Sequence, residues 1–532
     1  MEPVAFEIAS LLQPYKMAPI QRLGSQTNQE VGKIVERVCD LVVESEMVAE
    51  DIAQLMPLSG ILANLAAMTR YKTTDFAIRK TRDLNKIMFL YTARNNVAFN
   101  QRVFFEHNPK LASLWFACYT LPVVGMTNSA LEYRLISHYR DVVAEFVPQA
   151  MWAINLSNYV SHMGGGFMKT KFNGQIQRAL KTIGVKVNNK PDPTRIAVIT
   201  GAWPHPAKPF VDALAKHYKV TLFHCTPTPE TDLYETVQIQ RADIPVQLLN
   251  NSFKFALHLD PIGSPELLQI ANLRVAPVQA TIPARPFSTY GTKIDLFITG
   301  NTAFTGDEFT ERIVTIPGPG LPVLPIDRPT SVSRDDGTLL VGLVCNSLCY
   351  TYRFLSIVKY FVEQHPSVQL VIAPGRDAHR QQATYSVLTD LVNMFGKRAS
   401  FIPYCEESEL IRNLSSLDFV LDTWDFSDFQ AISTVLQLGK PVVTLNSRGF
   451  SAEVTKNLLC QYGFDWLVAR DVQEYLSLCS DFVFNRKRLD NAKDAVYNTK
   501  WEGTTPDQFV EAVTKIMATP NPTETYEILD LT

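Results

Sequence analysis

The polar residues best placed to do chemistry follow short apolar runs and precede helical patterns. His205 comes after the strand-like run 196–200, where its imidazole could hydrogen-bond a phosphate or transfer a proton. A loop histidine that is capped by backbone groups is the other interpretation. In open parallel sheets, ligands bind where strands end and helices begin, and the free N–H groups of a helix N-terminus suit phosphate. The position therefore predicts that His205 faces a cleft.

A second such position is the loop of residues 424–430. It lies between a predicted buried strand, 418–423, and a helix, and another buried strand follows at 441–445. The polar residues of the loop are Asp425, Ser427, Asp428 and Gln430. Binding of a ligand and ordinary exposure to solvent both fit this composition.

Two weaker candidates follow other strand-like runs. Arg285, with Ser288 and Thr289, could bind an anionic or hydroxylated group, or belong to a solvated loop. The backbone of Tyr404 and Cys405 precedes a short helix, where it could contact a base edge or form a plain turn. Both segments lie at predicted strand ends, which is why they are candidates.

The segment from Asn346 to Tyr350 follows the first strand of the C-terminal series. This is the usual place for diphosphate contacts, because the next helix offers free N–H groups. The segment has neither a glycine-rich cradle nor a lysine. Tyr350 and Arg353 could supply hydrogen-bond donors instead.

The elements that must position these residues fall into three parts. Helical periodicity dominates residues 1 to about 185. A polar segment with two prolines, 186–194, predicts a linker. Short strands then alternate with helices in two successive series, which predicts two α/β domains with parallel sheets. The predicted domains are an all-α domain 1–190, a first α/β domain 191–330 and a second 331–532, with the tail 519–532 as a surface extension.

Composition narrows the class of protein. Of 532 residues, 46% are apolar and 19% are charged, as in soluble globular proteins. The net charge of −3, without a basic stripe, argues against a nucleic-acid-binding protein. The eight cysteines lack CxxC spacing and fit reduced thiols in a cytoplasm. We expect a cytoplasmic protein without a membrane span, because there is no signal peptide and the longest apolar run, 111–125, is short.

Taken in order, these segments resemble the cytoplasmic bacterial protein N-glucosyltransferases that modify high-molecular-weight adhesins, whose catalytic fold O-GlcNAc transferase shares. Collinearity over about residues 195–500 carries the resemblance. The matching pieces are Pro204-His205-Pro, Asn272-Leu-Arg-Val-Ala-Pro-Val-Gln279 with Arg285-Pro286, Ile316-Pro-Gly-Pro-Gly-Leu-Pro322, Asn346-Ser-Leu, Phe401-Ile-Pro403, Leu421-Asp-Thr423, Leu438-Gly-Lys-Pro-Val-Val-Thr444, and the run from Glu453 to Tyr475. The helical N-terminal region resembles the all-α domain of the adhesin-modifying branch.

The resemblance implies a GT-B fold, two Rossmann-like domains facing a cleft, preceded by an all-α domain. It also implies an inverting transfer of a hexose, expected to be glucose, from a UDP-sugar to a protein side chain such as asparagine, without a metal or cofactor. UDP-GlcNAc and Ser or Thr are the alternative donor and acceptor. His205 would be catalytic. The donor contacts would be Asn346, Ser347, Tyr350, Arg353, Tyr404, Cys405, Ser427, Asp428, Phe429, Gln430 and Thr434, and the acceptor or phosphate contacts Arg285, Ser288 and Arg448.

The chain departs from the family pattern at the donor. Tyr350 stands where the family has a lysine that neutralises the leaving diphosphate, and Thr434 where it has a ribose-binding aspartate. Either Arg353, Arg376 or Arg448 replaces the lysine, or the donor sits differently, or catalysis is lost. Two hypotheses follow. The protein is a UDP-sugar-dependent protein glycosyltransferase, or it is a binding partner or chaperone of a glycosylation system.

Overall fold

The computed structural model describes most of the chain. The described residues are 3–15, 27–67, 72–123, 125–160, 165–187, 190–226, 231–240, 244, 246–250, 252–284, 286–300, 309–329, 337–373, 383–402, 405–447, 449–519 and 528–530. Three predicted site residues, Arg285, Tyr404 and Arg448, lie outside these ranges, as does Arg376. Within these ranges, no helix has the length and apolar character needed to cross a bilayer.

Helices without strands make up the described chain before Asp192. Asn108 and Asn128 each start a helix, because the side-chain oxygen accepts a hydrogen bond from the N–H three residues on. Asp83 likewise starts the helix Leu84–Leu90, because its side chain accepts a hydrogen bond from Asn85 N. The helices are α1 (Pro3–Leu12), α2 (Thr27–Glu44), α3 (Ala49–Leu55), α4 (Ser59–Ala66), α5 (Lys72–Lys80), α6 (Leu84–Leu90), α7 (Arg102–His107), α8 (Pro109–Cys118), α9 (Ser129–Arg140), α10 (Ala150–Ser157) and α11 (Gly165–Thr182).

The first α/β half contains an open parallel sheet whose apolar strands are buried, as sheets covered by helices require. Its strands are β1 (Asp192–Thr200), β2 (Lys219–His224), β3 (Glu235–Gln238), β4 (Phe253–His258), β5 (Val278–Thr281), β6 (Leu296–Gly300) and β7 (Arg312–Ile316), in the spatial order β7-β6-β5-β4-β1-β2-β3. The connecting helices are α12 (Lys208–Ala215), α13 (Val246–Leu249) and α14 (Pro265–Ala271). β1 begins inside the predicted linker, because Asp192 N donates to Ser252 O at 2.7 Å.

The second α/β half repeats this plan. Its strands are β8 (Leu339–Val344), β9 (Val368–Ala373), β10 (Ala399–Phe401), β11 (Phe419–Leu421), β12 (Val442–Leu445) and β13 (Val468–Ala469), in the order β10-β9-β8-β11-β12-β13. Its helices are α15 (Tyr352–Gln364), α16 (Ala383–Phe395), α17 (Glu407–Ser415), α18 (Phe429–Gln437), α19 (Phe450–Gln461), α20 (Val472–Phe484), α21 (Arg486–Asn498) and α22 (Pro506–Ala518). In each sheet the strand order reverses once, between β1 and β4 and between β8 and β11. The loops that follow these strands diverge and leave a crevice.

The C-terminal end of the chain returns to the first half. Phe509 of α22 stacks on Phe210 of α12, with 4.3 Å between ring centroids. The strand β14 (Ile528–Asp530) then pairs in parallel with β7 at the edge of the first sheet. The sequence analysis did not predict this strand, because an edge strand so short leaves no periodic signal. The three predicted domain ranges stay a prediction.

The all-α part also contacts the second half. The buried Arg94 guanidinium forms an ion pair with Asp390 of α16, and Thr127 Oγ1 donates to the same carboxylate. Met126 N donates to Tyr350 O at 2.9 Å. A hydrogen bond from the all-α part therefore helps to fix the loop after β8.

Candidate active site

A cleft of about 1100 Å³ opens between the two α/β halves. Loops from both points of strand-order reversal line it, after β1 and β4 on one side and after β8 and β11 on the other. The predicted site residues that line it are His205, Asn346, Ser427, Asp428, Phe429 and Gln430. The structure thus brings together six of the predicted residues, from both halves, around one cavity large enough for a nucleotide sugar.

His205 lies in the short connection between β1 and α12. Ala207 N donates to its Nδ1 at 3.1 Å, and Lys208 N donates to its carbonyl oxygen at 2.8 Å. Because Nδ1 accepts a hydrogen bond, the neutral ring carries its proton on Nε2. In this tautomer Nε2 is a hydrogen-bond donor, which suits an anionic or hydroxyl oxygen better than it suits proton abstraction.

The loop after β11 is anchored in the protein core. Trp424 is fully buried, with its ring edge-on to Phe354 and Tyr475. Ser427 Oγ donates to the buried Asp422 carboxylate at 2.9 Å, and Ser427 N donates to Ser451 O at 2.9 Å. A loop held by such contacts is not a solvated one. Ser427 lines the cleft while its hydroxyl is engaged inward.

Asp422 is the centre of this anchor. Its carboxylate also accepts a hydrogen bond from Thr444 Oγ1 at 2.7 Å, which ties β11 to β12. Burial raises the pKa of Asp422, and the hydroxyl donors partly oppose that shift by stabilising the charged form. The network fixes the backbone from which the cleft-lining residues of this loop project.

Asp428 determines the electrostatics of this edge. It is the N-cap of α18, and its Oδ1 accepts from Ala431 N at 3.2 Å. A carboxylate at this position satisfies a free amide and neutralises part of the positive end of the helix dipole. The free amides predicted for a diphosphate are therefore met in part by the protein's own anion.

Gln430 and Thr434 follow on α18. Gln430 Nε2 approaches Pro322 O at 3.4 Å, which connects the helix to the chain between the two halves. Thr434 Oγ1 donates to Gln430 O at 2.7 Å and does not line the cleft. An intrahelical bond of this kind occupies the hydroxyl that was expected at the ribose.

The loop after β8 contributes less than predicted. Asn346 lines the cleft, and its Oδ1 accepts from Leu348 N at 3.0 Å. Ser347 and Tyr350 are buried and do not line it, although Cys349 between them does. Burial raises the pKa of Tyr350 well above its usual value, so the phenol is neutral and cannot replace the charge of a lysine. Arg353 is exposed on α15, outside the cleft lining.

Two other predicted residues also lie outside the cleft lining. Cys405 is partly buried before α17, and burial raises the pKa of its thiol. Ser288 is buried, and its hydroxyl donates to Glu311 Oε2 at 2.6 Å. Neither side chain is placed to contact a ligand in this cavity.

Several cleft residues escaped the sequence analysis. Asp260 follows β4 at the reversal point, a position that the strand order could have identified. Tyr159, from the all-α part, lines the cleft together with Phe287 and Phe426. These aromatic residues have no spacing that sets them apart from core residues, so only the tertiary structure finds them.

The described lining of the cleft is poor in positive charge. It contains Asp260 and Asp428 but no lysine and no arginine. In sequence, Arg285 falls between the lining residues Ala284 and Pro286. Within the described ranges, no group of three or more His, Cys, Asp and Glu side chains could hold a metal ion. Metal independence stays a prediction.

No protein-family model and no curated protein sequence matches this chain. Similar solved structures are glycosyltransferases. One is titled as a mutant of the O-GlcNAc transferase from Thermobaculum terrenum; it is 16% identical, with a TM-score of 0.59, over 99% of this chain and 99% of that chain. A second is a trehalose-phosphate synthase (UDP-forming) from Burkholderia vietnamiensis; it is 10% identical, with a TM-score of 0.38, over 61% of this chain and 99% of that chain. A third is a kitacinnamycin glycosyltransferase; it is 12% identical, with a TM-score of 0.34, over 62% of this chain and 100% of that chain.

The first of these similarities extends over the whole chain and agrees with the two parallel sheets that face one cleft. The predicted fold class is confirmed: the chain has a GT-B fold.

Proposed function

We propose that this protein is a glycosyltransferase that moves a hexose, expected to be glucose, from a UDP-sugar to a side chain of an acceptor protein, expected to be asparagine. The observation that carries the proposal is the position of His205 on one wall of a cleft whose other wall is the donor-side loop 427–430. Ser or Thr as acceptor and UDP-GlcNAc as donor remain the alternative pair. We expect the reaction to occur in the cytoplasm without a metal.

In the proposed reaction, the acceptor atom attacks C1 of the sugar from the face opposite UDP. The bond between C1 and the diphosphate oxygen breaks as the new bond forms, and the configuration at C1 inverts. The acceptor loses its N–H or O–H proton to the departing diphosphate or to solvent, so the products are the glycosylated side chain and UDP. Negative charge grows on the departing diphosphate, so a donor placed beforehand lowers the barrier. His205 Nε2 supplies such a donor, because Nδ1 is held by Ala207 N.

The second candidate is a GT-B protein that binds its partners without transferring sugar. It is favoured by the described lining, which has two aspartates and neither lysine nor arginine. A diphosphate next to Asp428 is unfavourable unless a cation offsets the repulsion. Arg285 and Arg448 stay the predicted phosphate contacts, and they are the residues that would have to supply it.

One experiment separates the two candidates. The wild-type protein is titrated with UDP by calorimetry, and then incubated with UDP-glucose, UDP-galactose and UDP-GlcNAc while UDP release is followed. Binding of UDP, with UDP release that is lost in His205→Ala, is the result expected of the enzyme. Binding without release from any of the three sugars supports the non-catalytic candidate. Absence of both binding and release contradicts the proposal.

A further inference from the structure

One face of α11 forms hydrogen bonds with residues 288–291 of the first α/β half. Lys169, Asn173 and Gln177 follow at four-residue spacing, which places them on the same side of the helix. Lys169 Nζ donates to Ser288 O at 2.9 Å. Asn173 Nδ2 donates to Thr289 O at 2.9 Å and to Tyr290 O at 2.7 Å, and Gln177 Nε2 donates to Gly291 O at 2.8 Å. Four successive carbonyls are thus held by one helix.

The same segment also forms hydrogen bonds with Glu311. This buried carboxylate accepts from Ser288 Oγ at 2.6 Å and from Thr289 N at 2.8 Å. The backbone then turns through positive φ at Tyr290 (47°) and Gly291 (82°). A left-handed φ is unfavourable for tyrosine, so the surrounding contacts must hold it in place.

The residue just before this segment, Phe287, forms part of the cleft wall. Phe287, immediately before Ser288, lines the cleft and packs edge-on against Tyr159, with 5.4 Å between centroids. Tyr159 packs in the same way on Phe426, at 5.3 Å. Phe287 and Phe426 are 6.2 Å apart. The three rings come from the all-α part, the first half and the second half, and all line the cavity.

We propose that Lys169, Asn173 and Gln177 are positioning residues that hold the segment 287–291 so that Phe287 closes this aromatic wall of the active site. The inference rests on the proposed function, since it assigns the three residues to the geometry needed for sugar transfer. The proposal assigns a role to the all-α part: side chains of α11 bind the backbone carbonyls of residues 288–291 and thereby fix the first-half wall of the cleft.

The burial of Lys169 supports a positioning role. Its ammonium lies 5.9 Å from the Phe287 ring centroid and 5.1 Å from that of Tyr290. Burial lowers the pKa of Lys169 to about 7, with the Glu311 charge opposing the shift. A buried charge adds little net stability compared with an apolar residue of similar volume. Fixing one conformation of the segment is therefore the better explanation for a lysine at this position.

Two glycines of α11 provide a matched test. A Cβ at Gly166 would lie 2.6 Å from Tyr290 Cε1, whereas at Gly174 the nearest atom is Arg178 Nη1 at 3.7 Å. Gly166→Ala therefore pushes on the segment, while Gly174→Ala makes the same substitution on the same helix and meets only Arg178 Nη1, at an ordinary van der Waals distance. Hydrogen–deuterium exchange of peptides that cover 286–292 and 424–430 reports on the wall directly.

The expected result for Gly166→Ala is exchange about tenfold faster in the 286–292 peptide, with little change in the core-anchored 424–430 peptide, and Gly174→Ala unchanged in both. Lys169→Met is expected to act like Gly166→Ala, and Lys169→Arg, which keeps charged donors, to restore slow exchange. Equal exchange in Gly166→Ala, Gly174→Ala and Lys169→Met would overturn the proposal.

Turnover adds a readout that a purely structural role would not produce. Because the donor is proposed to be held by the second half, the Kd for UDP should stay within about twofold in Gly166→Ala, while kcat with the sugar donor falls roughly tenfold through misplacement of the wall. A parallel fall in UDP affinity and kcat would contradict the positioning role. If the wild type shows no turnover, the proposed function fails, whereas the exchange difference between the glycine variants still supports the positioning of the wall.

Discussion

The two edges of the cleft use the same strand-to-helix junction with opposite electrostatics. On the first edge, β1 leads into α12, whose N-cap Ala207 offers no side-chain cap, and His205 presents Nε2–H. On the second edge, β11 leads into α18, whose N-terminus is capped by Asp428. The first junction therefore has a hydrogen-bond donor that suits an anionic ligand, whereas the second has the negatively charged side chain of Asp428.

The difference shows why equal topology does not give equal binding. A parallel sheet places a helix N-terminus at the carboxyl end of each strand, but the residue at the N-cap decides how much of that positive end reaches a ligand. If this chain binds a diphosphate at the second edge, a cation outside the helix has to offset Asp428. The first edge, in contrast, has no such anion at the N-cap of its helix, and His205 Nε2 is a donor there.

The largest expected effect tests the first edge. Replacing His205 by Ala removes the Nε2 donor and should lower kcat by about 10²- to 10³-fold, as the loss of a prearranged donor does. His205→Gln keeps an N–H at similar reach and should retain activity within about tenfold of wild type. Equal loss in both variants would instead assign proton abstraction to the imidazole. The exposed His217, at the end of α12, provides the control His217→Ala.

The next effect concerns Lys169, which holds the segment 287–291 of the first half. The folded pKa of Lys169, about 7, lies below its unfolded value of 10.5, so the unfolded chain binds more protons between these values. The contribution of this group to the free energy of unfolding is therefore lowest below pH 7 and rises with pH up to about 10.5. Wild type should gain roughly 2 kcal/mol relative to Lys169→Met between pH 7 and pH 9.

Denaturant titration at several pH values measures this difference. Lys181→Met, an exposed lysine on the same helix, serves as the control and should follow wild type. A constant gap between wild type and Lys169→Met over the whole range would contradict a buried, titrating ammonium.

A smaller effect tests the second edge. Asn caps helices about as well as Asp, so Asp428→Asn should leave stability nearly unchanged. It removes one negative charge from the cleft lining and should tighten UDP binding roughly fivefold at low salt, and less at high salt. Asp471, the N-cap of α20, accepts from Glu474 N at 2.8 Å and lies outside the cleft lining. Asp471→Asn is the matched control, and a UDP affinity that Asp428→Asn leaves unchanged would show that Asp428 does not oppose the diphosphate.

The sequence predicted the backbone better than the side chains. Strand and helix periods predicted two successive α/β series and placed His205 and the loop 424–430 at cleft-facing junctions. They did not reveal that Ser427 turns its hydroxyl inward or that Thr434 bonds its own helix. Both partners are close in sequence, so these outcomes depend on which rotamer each side chain adopts. The contact of α11 with 287–291 joins residues more than a hundred positions apart, and no local pattern encodes it.

The smallest expected effect concerns Tyr350, for which the sequence resemblance predicts the position of a diphosphate-binding lysine. The side chain is fully buried, the phenol stays neutral because burial raises its pKa well above the usual value, and the cleft lining excludes it. The bond that joins the position to the all-α part uses the backbone carbonyl, which accepts from Met126 N. Tyr350→Phe keeps the ring and the carbonyl, so UDP affinity should change less than about twofold. If calorimetry found a loss of more than about tenfold, the hydroxyl would have to reach the diphosphate, and the second edge would contain a donor after all.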